Sequence, residues 1–231
     1  MKRTICIFVS VVMLLSLSCL LSGCQSDTDD ITGSWVADVD YAEALNAGIS
    51  SVEGAVLMKD YLKVDRFVLT TTFTFTENGT YTITYDEDSI ANAIQSMKND
   101  FKKGLNRYFA DQIRSLGLKM TVAEYLATQR LTLDSLINSI FTRQVTDELV
   151  SGIADKTTGN YLAKDGKLFL TTDTEDEIRE DSYDIYELKD NTLILMECHC
   201  KPDESLEEGM EEIIKEATDS IYPIILQRET Y

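Results

Sequence analysis

The chain contains one histidine, two prolines and five cysteines in 231 residues, and two of these scarcities exclude whole classes of protein. With His199 alone, and with neither a Gly-x-Ser-x-Gly nor a His-Glu-x-x-His motif, the sequence offers no hydrolase triad and no zinc-protease pair. It also lacks a glycine-rich phosphate loop. We therefore predict no catalytic residue, no metal site and no cofactor. An enzyme of an uncharacterised kind is the alternative.

Three of the five cysteines lie in the first 24 residues, so the rest of the chain contains only Cys198 and Cys200. That count excludes a disulfide scaffold. Cys198-His199-Cys200 carries metal-ligand types, but alternate side chains of a strand point to opposite faces, and a tetrahedral site would need further ligands. A Cys198–Cys200 disulfide would close a tight ring. We predict two free thiols.

Basic charge is also scarce, since 21 Lys and Arg residues stand against 40 Asp and Glu residues, a formal net charge of −19. Such a surface is repelled by nucleic acid and by anionic lipid headgroups. We therefore predict no nucleic-acid partner. The acidic surface is typical of a soluble domain beside a negatively charged membrane, and the alternative is that it attracts divalent cations or a basic partner.

A long apolar run occurs only at the start of the chain. Lys2 and Arg3 precede a stretch from residue 5 to 21 that is apolar except for small Ser and Cys residues, which is the build of a secretory signal peptide. At 17 residues, the stretch lies at the short limit for a membrane-spanning helix. Its ending, Leu21-Ser22-Gly23-Cys24, resembles the lipobox of bacterial lipoproteins.

This resemblance implies how the beginning of the chain is processed. Residues 1–23 are expected to be removed as a signal peptide, a thioether-linked diacylglycerol is expected on Cys24, and residues 24–30 are expected to form a lipidated linker. Two acyl chains are enough for stable anchoring. The implied location is the extracytoplasmic face of the cell membrane. The alternatives are an ordinary cleaved signal peptide and an uncut helix.

Strand patterns occupy much of the chain after residue 30. Residues 67–75 and 80–85 are rich in aromatic residues and threonine and flank Asn78-Gly79, which predicts a β-hairpin. The other predicted strands lie near residues 32–39, 159–163, 167–171, 183–188, 193–196 and 222–228.

A helical period of three and four separates the third predicted strand from the fourth. It predicts a long amphipathic helix from Asp88 to near Gly117. Thr121-Val122-Ala123-Glu124 fits a capping box that opens a second helix. Apolar residues from Leu133 to Ile153 predict a third. We therefore predict one domain over residues 31–231, with about eight antiparallel strands and a helical insertion at about 87–155.

The first and last strands carry a second resemblance. Gly33-Ser34-Trp35, the Asn78-Gly79 hairpin and Arg228 resemble the lipocalin-like pattern, which implies an up-and-down barrel closed by packing Trp35 against Arg228. Together with the lipobox, Lys164-Asp165-Gly166-Lys167 is similar to sequences of poorly characterised Gram-positive lipoproteins. The expected fold is α+β and mainly β: a closed or half-open lipocalin-like barrel capped by amphipathic helices. A β-sandwich is the alternative.

An aromatic face of the predicted barrel suggests a function. We predict that this face forms the core or binds a small apolar or amphiphilic ligand in a non-enzymatic, membrane-anchored protein. Its members are Phe67, Phe73, Phe75, Tyr81 and Tyr85. The alternative is an interaction module whose helical insertion docks an envelope protein. An open cavity would favour the first hypothesis, and exposed apolar residues on the insertion would favour the second.

Overall fold

The computed structural model describes residues 30–51, 58–199 and 210–229. The predicted signal peptide, Cys24, most of the 24–30 linker and Cys200 lie outside the described residues. The eight strands are β1 (Gly33–Asp40), β2 (Val68–Phe75), β3 (Thr80–Tyr85), β4 (Thr157–Lys164), β5 (Lys167–Leu170), β6 (Tyr183–Lys189), β7 (Thr192–His199) and β8 (Ile224–Arg228). The six described helices are α1 (Ala42–Ser51), α2 (Glu87–Ser115), α3 (Val122–Thr128), α4 (Leu133–Ile140), α5 (Arg143–Ala154) and α6 (Met210–Ile221).

The strands form a closed barrel in which every strand pairs with its neighbours in chain order. All of the pairings are antiparallel, and β1 closes the barrel against β8 with Trp35 opposite Arg228. Closure removes the exposed strand edges that an open sheet would present. The expected antiparallel barrel with helical caps is therefore confirmed, and its closed form excludes the half-open barrel and the β-sandwich.

Side chains alternate along each strand between the interior of the barrel and its outer surface. Along β2, Leu69, Thr71, Phe73 and Phe75 are buried, whereas the residues between them are half-buried. The hairpin turns use the conformations that their residues favour: Asp165 and Gly166, for example, have φ of 52° and 72°. Such left-handed pairs match the twist of two-residue hairpins.

Alternation of strand direction gives the barrel two different ends. We name one end the hairpin end. It carries residues 30–32, where the described chain enters the barrel, and the turns at 76–79, 165–166 and 190–191. The helical end carries all six described helices and the loop at 171–182. A site that uses side chains of the described helices therefore lies at the helical end of the barrel.

Helices α2 to α5 form the insertion between β3 and β4. The 29-residue helix α2 begins at Glu87 and is capped by Asp86, whose side chain accepts a hydrogen bond from the Ser89 amide. A Cβ on Gly104 of this helix would lie 1.8 Å from the Tyr61 carbonyl oxygen, so the glycine permits close packing on the segment before β2. The predicted capping box at Thr121 and Glu124 is present at α3.

The prediction of one helix over residues 133–153 is wrong, because the chain forms two helices there. Helix α4 ends at Ile140 with Phe141 as its C-cap, and Thr142 adopts an extended conformation with ψ of 162°. The Thr142 side chain accepts a hydrogen bond from the Val145 amide and thereby caps α5. The apolar spacing continues across this break, so periodicity alone does not reveal it.

Candidate functional site

The five aromatic residues predicted to bind a ligand lie in or beside the barrel interior. Phe73 and Phe75 of β2 and Tyr81 of β3 are buried, and Tyr85 is partly buried at the helical end. Phe67 is buried just before β2, where its carbonyl accepts a hydrogen bond from the Tyr41 amide. The sequence pattern therefore placed these side chains on a common inner face, apart from Phe67, which lies before the strand begins.

These rings contact one another. The ring centroids of Phe75 lie 6.3 Å from Phe73, 6.3 Å from Tyr81 and 4.9 Å from Tyr161. The Tyr81 hydroxyl donates to the Thr171 carbonyl oxygen at 2.6 Å. A ligand at this depth would have to displace packed aromatic rings, so the hairpin half of the interior serves as a core.

Trp35 and Arg228 meet inside the hairpin end. The Arg228 guanidinium carbon lies 4.6 Å from the Trp35 ring centroid, and the indole Nε1 donates to the Ile31 carbonyl oxygen at 2.8 Å. Trp35 is fully buried. Arg228 Nε is buried without a hydrogen-bond partner among the described residues. The cation–π contact and the hydrogen bond together hold the first strand, the last strand and the chain entry in register.

A hydroxyl cluster lies at the helical end of the interior. The buried Tyr41 hydrogen-bonds with both Thr71 and Tyr85. Burial raises the pKa of Tyr41 well above its usual value, and the nearby Tyr85 adds to the rise. Burial also raises the pKa of Tyr85. The helical end therefore holds neutral hydroxyl groups within an otherwise apolar interior.

Asp184 is a buried carboxylic acid near the same end. It stands opposite Leu168 and Cys198 in the sheet, and its Oδ1 accepts a hydrogen bond of 2.8 Å from the Tyr222 hydroxyl. Burial raises the pKa of Asp184 from 3.8 to about 6, although Tyr222 and His199 both oppose the rise. The barrel can thus carry a partly protonated acid near neutral pH.

Neither Asp184 nor Tyr41 was identified from the sequence as a buried residue. Both nevertheless fit the alternation of inward and outward side chains along β6 and β1. Val39 is buried in β1 and Tyr41 continues its parity, whereas Tyr186 is buried in β6 and shares its parity with Asp184. Because side chains two residues apart in a strand share a face, the buried Val39 and Tyr186 would have placed Tyr41 and Asp184 in the barrel interior. Asp184 was missed because it is acidic, and Tyr41 was missed because a helix-like pattern follows it in the sequence.

The prediction of two free thiols is wrong for Cys198, which is disulfide-bonded. Its partner lies outside the described residues. His199 Nε2 instead lies 2.8 Å from Glu197 Oε1, and its ring centroid lies 5.0 Å from that of Tyr183. Within residues 30–51, 58–199 and 210–229, no three His, Cys, Asp or Glu side chains converge closely enough to hold a metal ion.

Large apolar side chains are exposed mainly on the helical insertion. Leu116 and Leu118 lie between α2 and α3, Leu131 lies between α3 and α4, Ile140 ends α4, and Val150 belongs to α5. They are five of the seven large apolar side chains that are exposed in the described chain, and Leu116 is 61% exposed. The barrel strands contribute only the other two, Met196 and Ile225.

Comparison with known proteins places the chain in no family. No protein-family model, no curated protein and no solved structure matches it significantly. None of the helices in the described part of the chain is both long and apolar enough to span a bilayer.

Proposed function

We propose that this protein is a lipid-anchored, extracytoplasmic, non-enzymatic module that docks an envelope protein through its helical insertion. In this proposal the barrel is a rigid support rather than a binding cavity. The observation that carries it is the location of Leu116, Leu118, Leu131, Ile140 and Val150, which expose apolar surface on the insertion. A contiguous patch of exposed apolar side chains often marks a protein interface, and all five of these residues lie within residues 116–150 of the insertion.

The position of the chain entry supports an orientation on the membrane. With lipid on Cys24, residues 25–30 reach about 20 Å at full extension. The entry belongs to the hairpin end, so that end would face the bilayer. The insertion would then face away from the membrane, where a partner can reach it.

Native mass spectrometry of the delipidated protein, purified from its own host, tests this proposal. We expect a complex with an envelope protein, and we expect L116S/L131S to lose it while the barrel stays folded by circular dichroism. The matched control is I225S/M196S, which removes the two exposed apolar side chains of the barrel wall and should retain the complex. Equal loss in both double variants, or no complex with the wild type, would overturn the docking role.

Labelling the host with a radioactive or alkyne-bearing fatty acid tests the anchor separately. We expect label on the wild type and none on C24S. Label on C24S, or an unlabelled wild-type protein in the medium, would contradict anchoring through Cys24 without bearing on the insertion.

A second candidate function is the binding of a small amphiphile at the helical end of the barrel. The observation that favours it is the combination of inner aromatic rings with the hydroxyl groups of Tyr41 and Tyr85 and the carboxyl group of Asp184. Trp35 is the only tryptophan, so its fluorescence reports on the interior. Titration with a fluorescent fatty acid should produce saturable energy transfer from Trp35, and its absence would exclude this candidate.

A further inference from the structure

A groove runs between helices α1 and α6 at the helical end, apart from the insertion. Its larger part has a volume of about 780 Å³. Asn46 of α1 fixes one wall, because its side chain donates to the Val64 carbonyl oxygen at 2.9 Å and accepts from the Val64 amide at 2.8 Å. The apolar lining is formed by Ala42, Ala47, Val64 and Ile213.

Carboxylates line both long walls of this groove. Glu43 of α1 and Glu216 of α6 border its larger part and also an adjoining depression of about 610 Å³, where Glu212 lies. These three side chains are solvent-exposed or at the rim, and within the described residues they form no ion pair and no hydrogen bond. Lys215, in contrast, is already paired with Asp219 at 2.6 Å. Lys63 and Asp65 also border the larger part, so its lining holds the carboxylates of Glu43, Asp65 and Glu216 against the single ammonium group of Lys63, and its net charge is negative.

We propose that the α1–α6 groove binds a basic amphipathic segment of a partner protein. Apolar side chains of the segment would cover the half-buried Ala47 and Ile213, and its Lys or Arg side chains would meet Glu43 of α1 and Glu216 of α6. Charge complementarity selects this occupant, because an acidic or nucleic-acid ligand would be repelled. A single metal ion does not fit, since no three ligand side chains converge in the described chain.

The site is independent of the proposed docking through the insertion. It uses α1, α6 and residues 63–65, whereas the insertion consists of α2 to α5. The variant L116S/L131S should leave binding in the groove unchanged, so the failure of one proposal can be distinguished from the failure of the other.

Fluorescence anisotropy with two short synthetic peptides tests the groove. One peptide alternates lysine with leucine, and the other alternates lysine with serine. We expect the lysine–leucine peptide to bind the delipidated protein, and E43Q/E216Q to weaken that binding by about tenfold. The control E77Q/E175Q removes the same charge from exposed sites outside the groove and should change affinity less than about twofold.

Hydrogen exchange then locates the bound peptide. We expect protection of residues 42–51, 63–65 and 210–221, and weaker binding of the lysine–serine peptide because it cannot cover the apolar lining. Equal weakening by the two double variants would reveal general attraction to an acidic surface and overturn the proposal. Protection elsewhere, equal affinity of the two peptides, or tighter binding of spermidine than of the lysine–leucine peptide would also overturn it.

Discussion

The two ends of the barrel differ in what their interiors contain: the hairpin end holds packed apolar side chains, and the helical end holds buried polar groups. At the hairpin end the turns are short, and Trp35 is sealed by Arg228 and Ile31. At the helical end the interior holds Tyr41 and Asp184, whose ordinary ionisation is suppressed by burial. Polar groups are costly to bury, so their accumulation at the helical end makes that end the candidate for a binding site.

The same contrast applies to the outer surface. Five of the seven exposed large apolar side chains of the described residues lie on the insertion, and the acidic groove lies between two helices, whereas the barrel wall carries only Met196 and Ile225. A closed barrel needs every strand for its integrity, so its wall tolerates little change. Helices added between strands can vary without opening the barrel, and they are the natural carriers of binding surfaces.

The largest expected effect is at the hairpin end. Trp35→Ala removes the largest fully buried side chain and should lower the free energy of unfolding by about 4 kcal/mol, as measured by urea denaturation. Trp35→Phe, which keeps a ring but not the indole hydrogen bond, is the control and should cost about half as much. A loss below about 1 kcal/mol for Trp35→Ala would show that this end does not carry the stability of the barrel.

The second prediction concerns the helical end and depends on pH. Because the folded-state pKa of Asp184 is raised from 3.8 to about 6, the folded protein holds this proton more tightly than the unfolded chain. The contribution of Asp184 to the free energy of unfolding is therefore full below pH 3.8 and falls by about 3 kcal/mol as the pH rises above 6.

Asp184→Asn should lose this pH dependence. Relative to the wild type, D184N should gain about 3 kcal/mol of stability between pH 3 and pH 8, measured by denaturation across that range. The same substitution at the exposed hairpin-end residue Asp190 is the control and should follow the wild-type curve. Parallel curves for D184N and the wild type would mean that Asp184 is not held in a desolvated environment.

A smaller effect is expected where the insertion joins the body of the protein. Gly104→Ala places a methyl group against the Tyr61 carbonyl and should destabilise the protein by about 2 kcal/mol despite the higher helix propensity of alanine. Asn92→Ala, at an exposed position of the same helix, should not destabilise it. Thermal unfolding compares the two, and a stabilised G104A variant would contradict the close packing of α2.

The smallest effect is expected on the surface of the insertion. Leu118→Ala should change the free energy of unfolding by less than about 0.5 kcal/mol, because Leu118 is 43% exposed. Leu193→Ala, at a fully buried barrel position, is the matched control and should cost about 3 kcal/mol. Comparable losses at both sites, measured by urea denaturation, would show that the insertion surface is part of the core.

Local patterns predicted most of the secondary structure for identifiable reasons. Threonine and aromatic residues around Asn78-Gly79 favour a hairpin wherever they occur, and Thr121 with Glu124 forms a capping box by local hydrogen bonds alone. The break at Thr142 escaped prediction because an apolar period can continue through a cap. Asp184 escaped it because acidic residues are ordinarily assigned to the surface.

The amino-acid sequence alone determined the order of strands and helices, the place of the insertion, the inner aromatic face and the acidic charge, because each depends on near neighbours or on composition. Only the tertiary structure decided that the barrel is closed, that its aromatic rings fill one half, that Asp184 is desolvated, and that Glu43 and Glu216 face a common groove. These features join residues distant in the chain, and their energies depend on burial, which no local pattern specifies.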